Sequence, residues 1–86
     1  MILKAYSVYD NKVGVWNRPF FSRSDAEALR AFAFNGRSDK FMSENSSDYD
    51  LFYLGDFNDE VGLLNMEVRQ NLGNLSSFIK KEEGNA

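Results

Sequence analysis

The chain has 86 residues, 43% hydrophobic and 15% aromatic, with a formal net charge of −3; it suits one domain but buries only about 60–65% of the surface its unfolded form exposes. The absence of Cys and His excludes disulfides, thiolate chemistry and the commonest metal ligand, and with them most catalytic constellations. The acidic balance works against tight independent binding to a polyanion, because such affinity comes mainly from Lys and Arg displacing condensed counterions.

Residues 2–9 are rich in side chains that suit a pleated surface and predict a strand, with Ile2, Tyr6 and Val8 on one side and Leu3, Ala5 and Tyr9 on the other. Asp10-Asn11-Lys12 supplies a turn, Val13 to Trp16 reads as the returning strand, and Pro19, which has no N–H for a ladder, ends it. Ser24 and Glu27 form a capping box at the start of a helix from Asp25 to about Asn35, with Ala26, Leu29, Phe32 and Ala33 on its apolar stripe and Gly36 as a left-handed cap. The polar, Ser-rich segment 37–49 reads as a loop. Asp50 to Phe57 predicts a third strand, Asn58-Asp59-Glu60 a turn, and Val61 to about Val68 a fourth strand. The second hairpin echoes the first, with Gly62 placed after its turn as Gly14 is after its own, where a bulge often needs positive φ. Leu75, Phe78 and Ile79 have the spacing of a short helix from Asn74 to Lys81. The expected architecture is one α+β domain over residues 1–81, a four-stranded sheet of two antiparallel hairpins with a central helix on one face (ββαββ), a short C-terminal helix and a flexible tail at 82–86. Aromatic residues fall on both strand faces, more than one short helix covers, so a homodimer is expected.

Charge is unevenly placed along the chain. Residues 1–40 hold seven basic side chains against four acidic ones, a balance of +3, whereas residues 41–79 hold Arg69 alone against seven acids, a balance of −6. If the halves present different faces, one face can meet DNA while the other repels it. In the segment from Trp16 to Arg23, aromatics alternate with Arg18 and Arg23, the composition of a platform on which unpaired bases stack while cations meet phosphate. Phe20 or Phe21 is expected to plug the core, leaving Trp16 and Arg18 exposed. Arg23, Arg30 and Arg37 recur every seven residues, so Arg23 and Arg30 share a helical face with Arg37 close by at the cap, and Lys40 extends the stripe if the fold brings it near. The candidate DNA-binding set is Trp16, Arg18, Arg23, Arg30, Arg37 and Lys40; the plainer reading is a solvated face with Asp25 or Glu27 pairing locally. No phosphate loop, serine nucleophile with its base, complete calcium loop or apolar run of about 20 residues is present. The expectation is a non-enzyme without cofactor, metal or membrane.

Taken in order, Ala5 to Asp10, Val13 to Asn17, Pro19-Phe20-Phe21, Ser24 to Phe32 and Asp50 to Gly62 resemble the small nonstructural DNA-packaging proteins of gokushovirus-type microviruses, phages with a circular single-stranded DNA genome. The resemblance fades after about Leu75. It implies a protein of the host bacterial cytoplasm that binds single-stranded or replicative-form DNA and the replication complex, making that complex accessible to the procapsid as replication gives way to packaging. This chain departs from the family pattern at Val13-Gly14, where a Thr-Gly pair is common, and at Asn45 to Tyr49, where a His-Pro-Glu-Asp-Phe-like stretch is common. The alternative is a protein-protein adaptor or scaffold between procapsid and replication complex with little direct DNA contact.

Overall fold

In the computed structural model, which describes residues 1–79, Ile2–Asp10 forms β1 at the centre of an antiparallel sheet. Along one edge it pairs with β4 (Tyr49–Asn58), from Ile2 opposite Asn58 to Asp10 opposite Tyr49. Its other edge is shared by β2 (Val15–Trp16) and β3 (Phe20–Ser22), and β5 (Leu63–Asn74) lies beyond β4. The α+β class and the antiparallel sheet agree with the sequence, but the sheet has five strands rather than four. Pro19 interrupts the returning strand instead of ending it, since pairing with β1 resumes at Phe20 once the residue that lacks an N–H has passed.

Both hairpins turn in the same way. The Gly14 N–H donates to the Asp10 carbonyl and the Gly62 N–H to the Asn58 carbonyl, each at 2.8 Å. Within each turn the first side chain accepts from the N–H two residues on, Lys12 to Asp10 Oδ1 at 2.9 Å and Glu60 to Asn58 Oδ1 at 3.0 Å. The two glycines have φ of 73° and 68°, a left-handed conformation that a Cβ disfavours. The echo in the sequence is therefore a repeated turn, although the strands that follow differ, with two residues in β2 and twelve in β5.

The helix α1 (Asp25–Ser38) starts where the capping residues place it, with the Glu27 N–H donating to Ser24 Oγ at 3.2 Å. The return arm differs from a reciprocal box: Glu27 Oε1 accepts from the Arg23 N–H at 3.4 Å and from Ser22 Oγ at 3.2 Å. Its buried stripe is Ala28, Phe32, Ala33 and Gly36, while Ala26 is exposed. Gly36 does not cap the helix. It lies inside α1 against Leu75, where an added Cβ would fall 2.5 Å from Leu75 Cδ1, so close packing rather than backbone conformation requires the small residue. Segment 37–49 is not a loop either: it holds the end of α1, the helix α2 (Lys40–Glu44) and a 3₁₀ turn at Ser46–Asp48. Asp39 serves both helices, ending α1 through its backbone and accepting from the Met42 N–H through Oδ1 at 3.1 Å. A polar Ser-Asp pair thus marks a joint between helices. The C-terminal helix is shorter than expected, a 3₁₀ turn at Leu75–Ser77 capped by Asn74; Lys80, Lys81 and the 82–86 tail lie outside the described residues.

The core sits between α1 and one face of the sheet. Tyr6 and Val8 of β1 and Tyr49 and Leu51 of β4 meet Phe32, Leu75 and Ile79. The Tyr6 hydroxyl donates to Asp25 Oδ1 at 2.7 Å, tying the first turn of α1 to the central strand. Beyond Tyr6 the sheet continues past the helix as the outer parts of β1, β4 and β5, whose side chains Ile2, Leu63, Leu64 and Met66 are exposed.

Candidate nucleic-acid interface

Among the described residues, the face of the sheet opposite α1 carries no helix, and its side chains follow from strand alternation. Tyr9 projects there opposite Trp16 across β1 and β2, and Phe52 opposite Ser7 across β1 and β4. Because Ser7 is small, the indole of Trp16 leans over its position and reaches Phe52 on the far side, with ring centroids 4.9 Å apart in an edge-to-face arrangement. Tyr9 completes the cluster at 4.7 Å from Trp16 and 6.3 Å from Phe52. The Ser7 hydroxyl beneath donates to the Asn17 carbonyl at 2.6 Å, fixing the chain just after Trp16. Trp16 remains 38% exposed.

Arg69 of β5 places its guanidinium carbon 5.3 Å from the centroid of Trp16. β5 can deliver it because the strand is irregular there: between the Tyr53–Gln70 and Gly55–Met66 pairs, three residues of β5 oppose one of β4. Such a bulge re-aims side chains. Further along the same face, Phe21 and Phe57 form a second aromatic pair at 5.5 Å. Asp50, the acid at the inner end of the face, is held by three amide donors, Asn11 Nδ2 at 3.0 Å, Asn71 Nδ2 at 3.3 Å and Asn74 Nδ2 at 2.7 Å. The face thus presents two aromatic groups, one guanidinium over an indole and a carboxylate engaged by its neighbours.

The helix-side face is different. Lys4 lies 5.2 Å from the Tyr53 ring, and the Tyr53 hydroxyl donates to Asp56 Oδ1 at 2.6 Å. That bond, burial and the nearby carboxylates push the Tyr53 phenol up to about 12. Burial first, then the bond to Asp25, raises Tyr6 as well. These phenols act as structural donors.

Residues 3–78 match the family model described as Phage ORF5 protein. The chain belongs to that phage protein family. No curated protein and no solved structure matches it. No described helix of this phage protein is long and apolar enough to cross a membrane.

The six side chains singled out from the sequence of this Phage ORF5 family member do not meet in one patch. Trp16 lies on the bare face. Arg18 borders a hollow on the helix side, at the link between β2 and β3. Arg30 and Arg37 lie on the exposed side of α1, with exposed Phe34 between them. Arg23 is 3.9 Å from Glu27, and Lys40 is 3.5 Å from Glu44, both on exposed local pairs. The division of charge between sequence halves does not become a division between faces, because β1 from the first half lies directly beside β4 from the second. Phe20 packs against the core while Phe21 is exposed, so the expectation that one of them plugs the core is met by Phe20.

Tyr9, Phe52 and Arg69 were missed by the sequence reading. Alternation places Tyr9 opposite the core side, a signal available in the sequence. Phe52 and Arg69 reach Trp16 only through the register of three strands and a bulge, which no local pattern encodes.

Proposed function

We propose that this phage protein binds single-stranded DNA on its bare sheet face and acts as a nonstructural factor of a microvirus-type phage, helping to turn genome replication toward packaging of single strands into procapsids. The observation that carries this reading is the Tyr9–Trp16–Phe52 cluster with Arg69 laid across the indole. Known platforms of this kind gain about 1–3 kcal/mol per stacked base, and stacking tolerates any sequence. A base that takes the place of Arg69 on Trp16 frees the guanidinium for the adjoining phosphate. Arg18, Arg30 and Arg37, which are in no ion pair among the described residues, add attraction that draws a polyanion toward an otherwise acidic molecule. The protein acts by binding rather than catalysis, and a second copy serves to cover apolar side chains of the outer sheet.

Trp16 is the sole tryptophan, so its emission reports directly on the face. Titration with oligothymidylate at low salt is expected to quench it, with affinity falling steeply as salt rises. Unchanged emission at micromolar protein, in a chain shown to be folded, removes the DNA reading.

A specific observation favours a second reading, that of a protein adaptor. The outer hairpin exposes Val61, Leu63, Leu64 and Met66 next to the acidic turn residues Asp59 and Glu60, a surface suited to a protein rather than to phosphate. Capture of procapsids by the DNA-free protein, lost in a Leu64→Ser/Met66→Ser variant that still binds oligothymidylate, would assign the hairpin to that role.

A further inference from the structure

After Trp16, residues 17–19 link β2 to β3 along the same edge of β1, and beside this link, on the helix side, lies a cavity of about 340 Å³. Its apolar wall is made by Val8, Phe20, Phe32 and Met42, and its polar rim by Asn17, Arg18 and Asn35. Among the described residues, neither rim carboxamide has a side-chain hydrogen-bond partner and Arg18 has no ion-pair partner. The volume is at the small end of the roughly 300–1,000 Å³ typical of ligand sites.

We propose that this cavity binds one nucleoside monophosphate unit, its base against the Phe20 and Phe32 wall and its phosphate on Arg18. Three features of the lining converge on that chemistry. A flat ring suits a wall that carries two aromatic side chains. Base edges carry both donors and acceptors, which the two exposed carboxamides can meet in either sense, whereas an aliphatic acid offers them no such edge. A guanidinium without a carboxylate partner meets phosphate through two parallel hydrogen bonds. The site is separate from the Trp16 cluster, on the opposite side of the sheet, and it rests on the DNA reading only for the source of its nucleotide, which is either free or one unit of a strand that passes over the sheet edge.

The test uses the full chain with labelled Ala and Met methyl groups, observed by NMR while Trp16 emission is followed in parallel. The probes are dTMP, dAMP, thymidine, inorganic phosphate and oligothymidylate. The methyls of Ala31, which also lines the cavity, and of Met42 are expected to shift with the mononucleotides, with the oligomer, or with both. Thymidine, which lacks the charge-assisted contact to Arg18, and inorganic phosphate, which lacks the base, are each expected to bind at least about tenfold more weakly than dTMP. Arg18→Ala, on an exposed link, is expected to remove the preference for the phosphorylated form, and Asn35→Leu to weaken every nucleotide. Shifts with the mononucleotides alone assign a free nucleotide; shifts with the oligomer alone assign a unit of a strand. Methyls unmoved by both overturn the proposal, and do so without touching the DNA reading if the oligomer still quenches Trp16. Equal affinity for dTMP, thymidine and phosphate also overturns it, since base and phosphate would not then be held together. Methyl shifts with dTMP beside unquenched Trp16 uphold the cavity and remove the face.

Discussion

The two faces of one sheet show how the same strands serve opposite ends. On the helix side, Tyr6, Val8, Tyr49 and Leu51 are closed over by α1 and form the core. On the other side, Tyr9, Trp16 and Phe52 pack against one another beneath Arg69, and Phe21 packs against Phe57, with no described helix over them. Aromatic content alone does not distinguish them; what does is whether a second layer covers the ring. Covered rings contribute stability, and rings left half-open present flat surfaces to a ligand.

The sharpest way to break this contrast is to truncate one ring on each face. Phe32→Ala should cost about 3–5 kcal/mol, a large share of the stability of so small a domain, whereas Phe21→Ala, at a side chain 48% exposed, should cost less than about 1.5 kcal/mol. Urea unfolding of the two variants measures the difference, and equal losses would mean that the bare face is covered in solution, as a homodimer through that face would do.

Next in size is Gly36→Ala. In an exposed helix this change gains about 1 kcal/mol, but here the new methyl collides with the fully buried Leu75 side chain, and overpacking typically costs about 1–3 kcal/mol. A net fall in melting temperature is expected; a rise would place the end of α1 away from Leu75.

The tyrosines of the helix side sharpen the comparison through pH. In the fold Tyr53 is raised to about 12 from its ordinary 10.0, and Tyr6 is raised too, while the unfolded chain releases both protons near the ordinary value. Stability is therefore present in full below about pH 10 and declines as pH rises from there toward 12. Thermal unfolding between pH 9 and 11.5 should show that decline, and Tyr53→Phe should make it shallower. The smallest stability effect belongs to the surface: Arg23→Ala removes an exposed contact to Glu27 and should change stability by about 0.5 kcal/mol or less. Arg69→Ala should be nearly as neutral for folding while weakening oligothymidylate binding several-fold, because it touches the Trp16 ring rather than the core.

Much of the framework was legible in the residues themselves. The turn chemistry of Asp10 and Asn58, the positive-φ glycines after each turn and the Ser24 cap are settled by contacts within five residues, and each has the role its local chemistry indicates. The misreadings have a common cause. Gly36 looked like a cap because its packing partner, Leu75, is far along the chain. Segment 37–49 looked like a loop because α2 is held by Asp39 and by Met42 packing on the core, not by a long apolar period. The candidate site suffered more: Trp16 and the arginines were visible as residue types, but their distribution over two sides of the molecule follows from the sheet.

By itself the sequence determined the α+β class, where the hairpins turn and where the main helix begins, because those outcomes depend on backbone groups satisfied by near neighbours. Only the tertiary structure decided that Trp16 meets Phe52 and Arg69, that Arg18 borders a cavity on the opposite side, and that acidic and basic halves of the chain lie side by side. Strand register and a bulge set those distances, and they arise from pairings between residues tens of positions apart, whose energy is collected only when the whole sheet has formed.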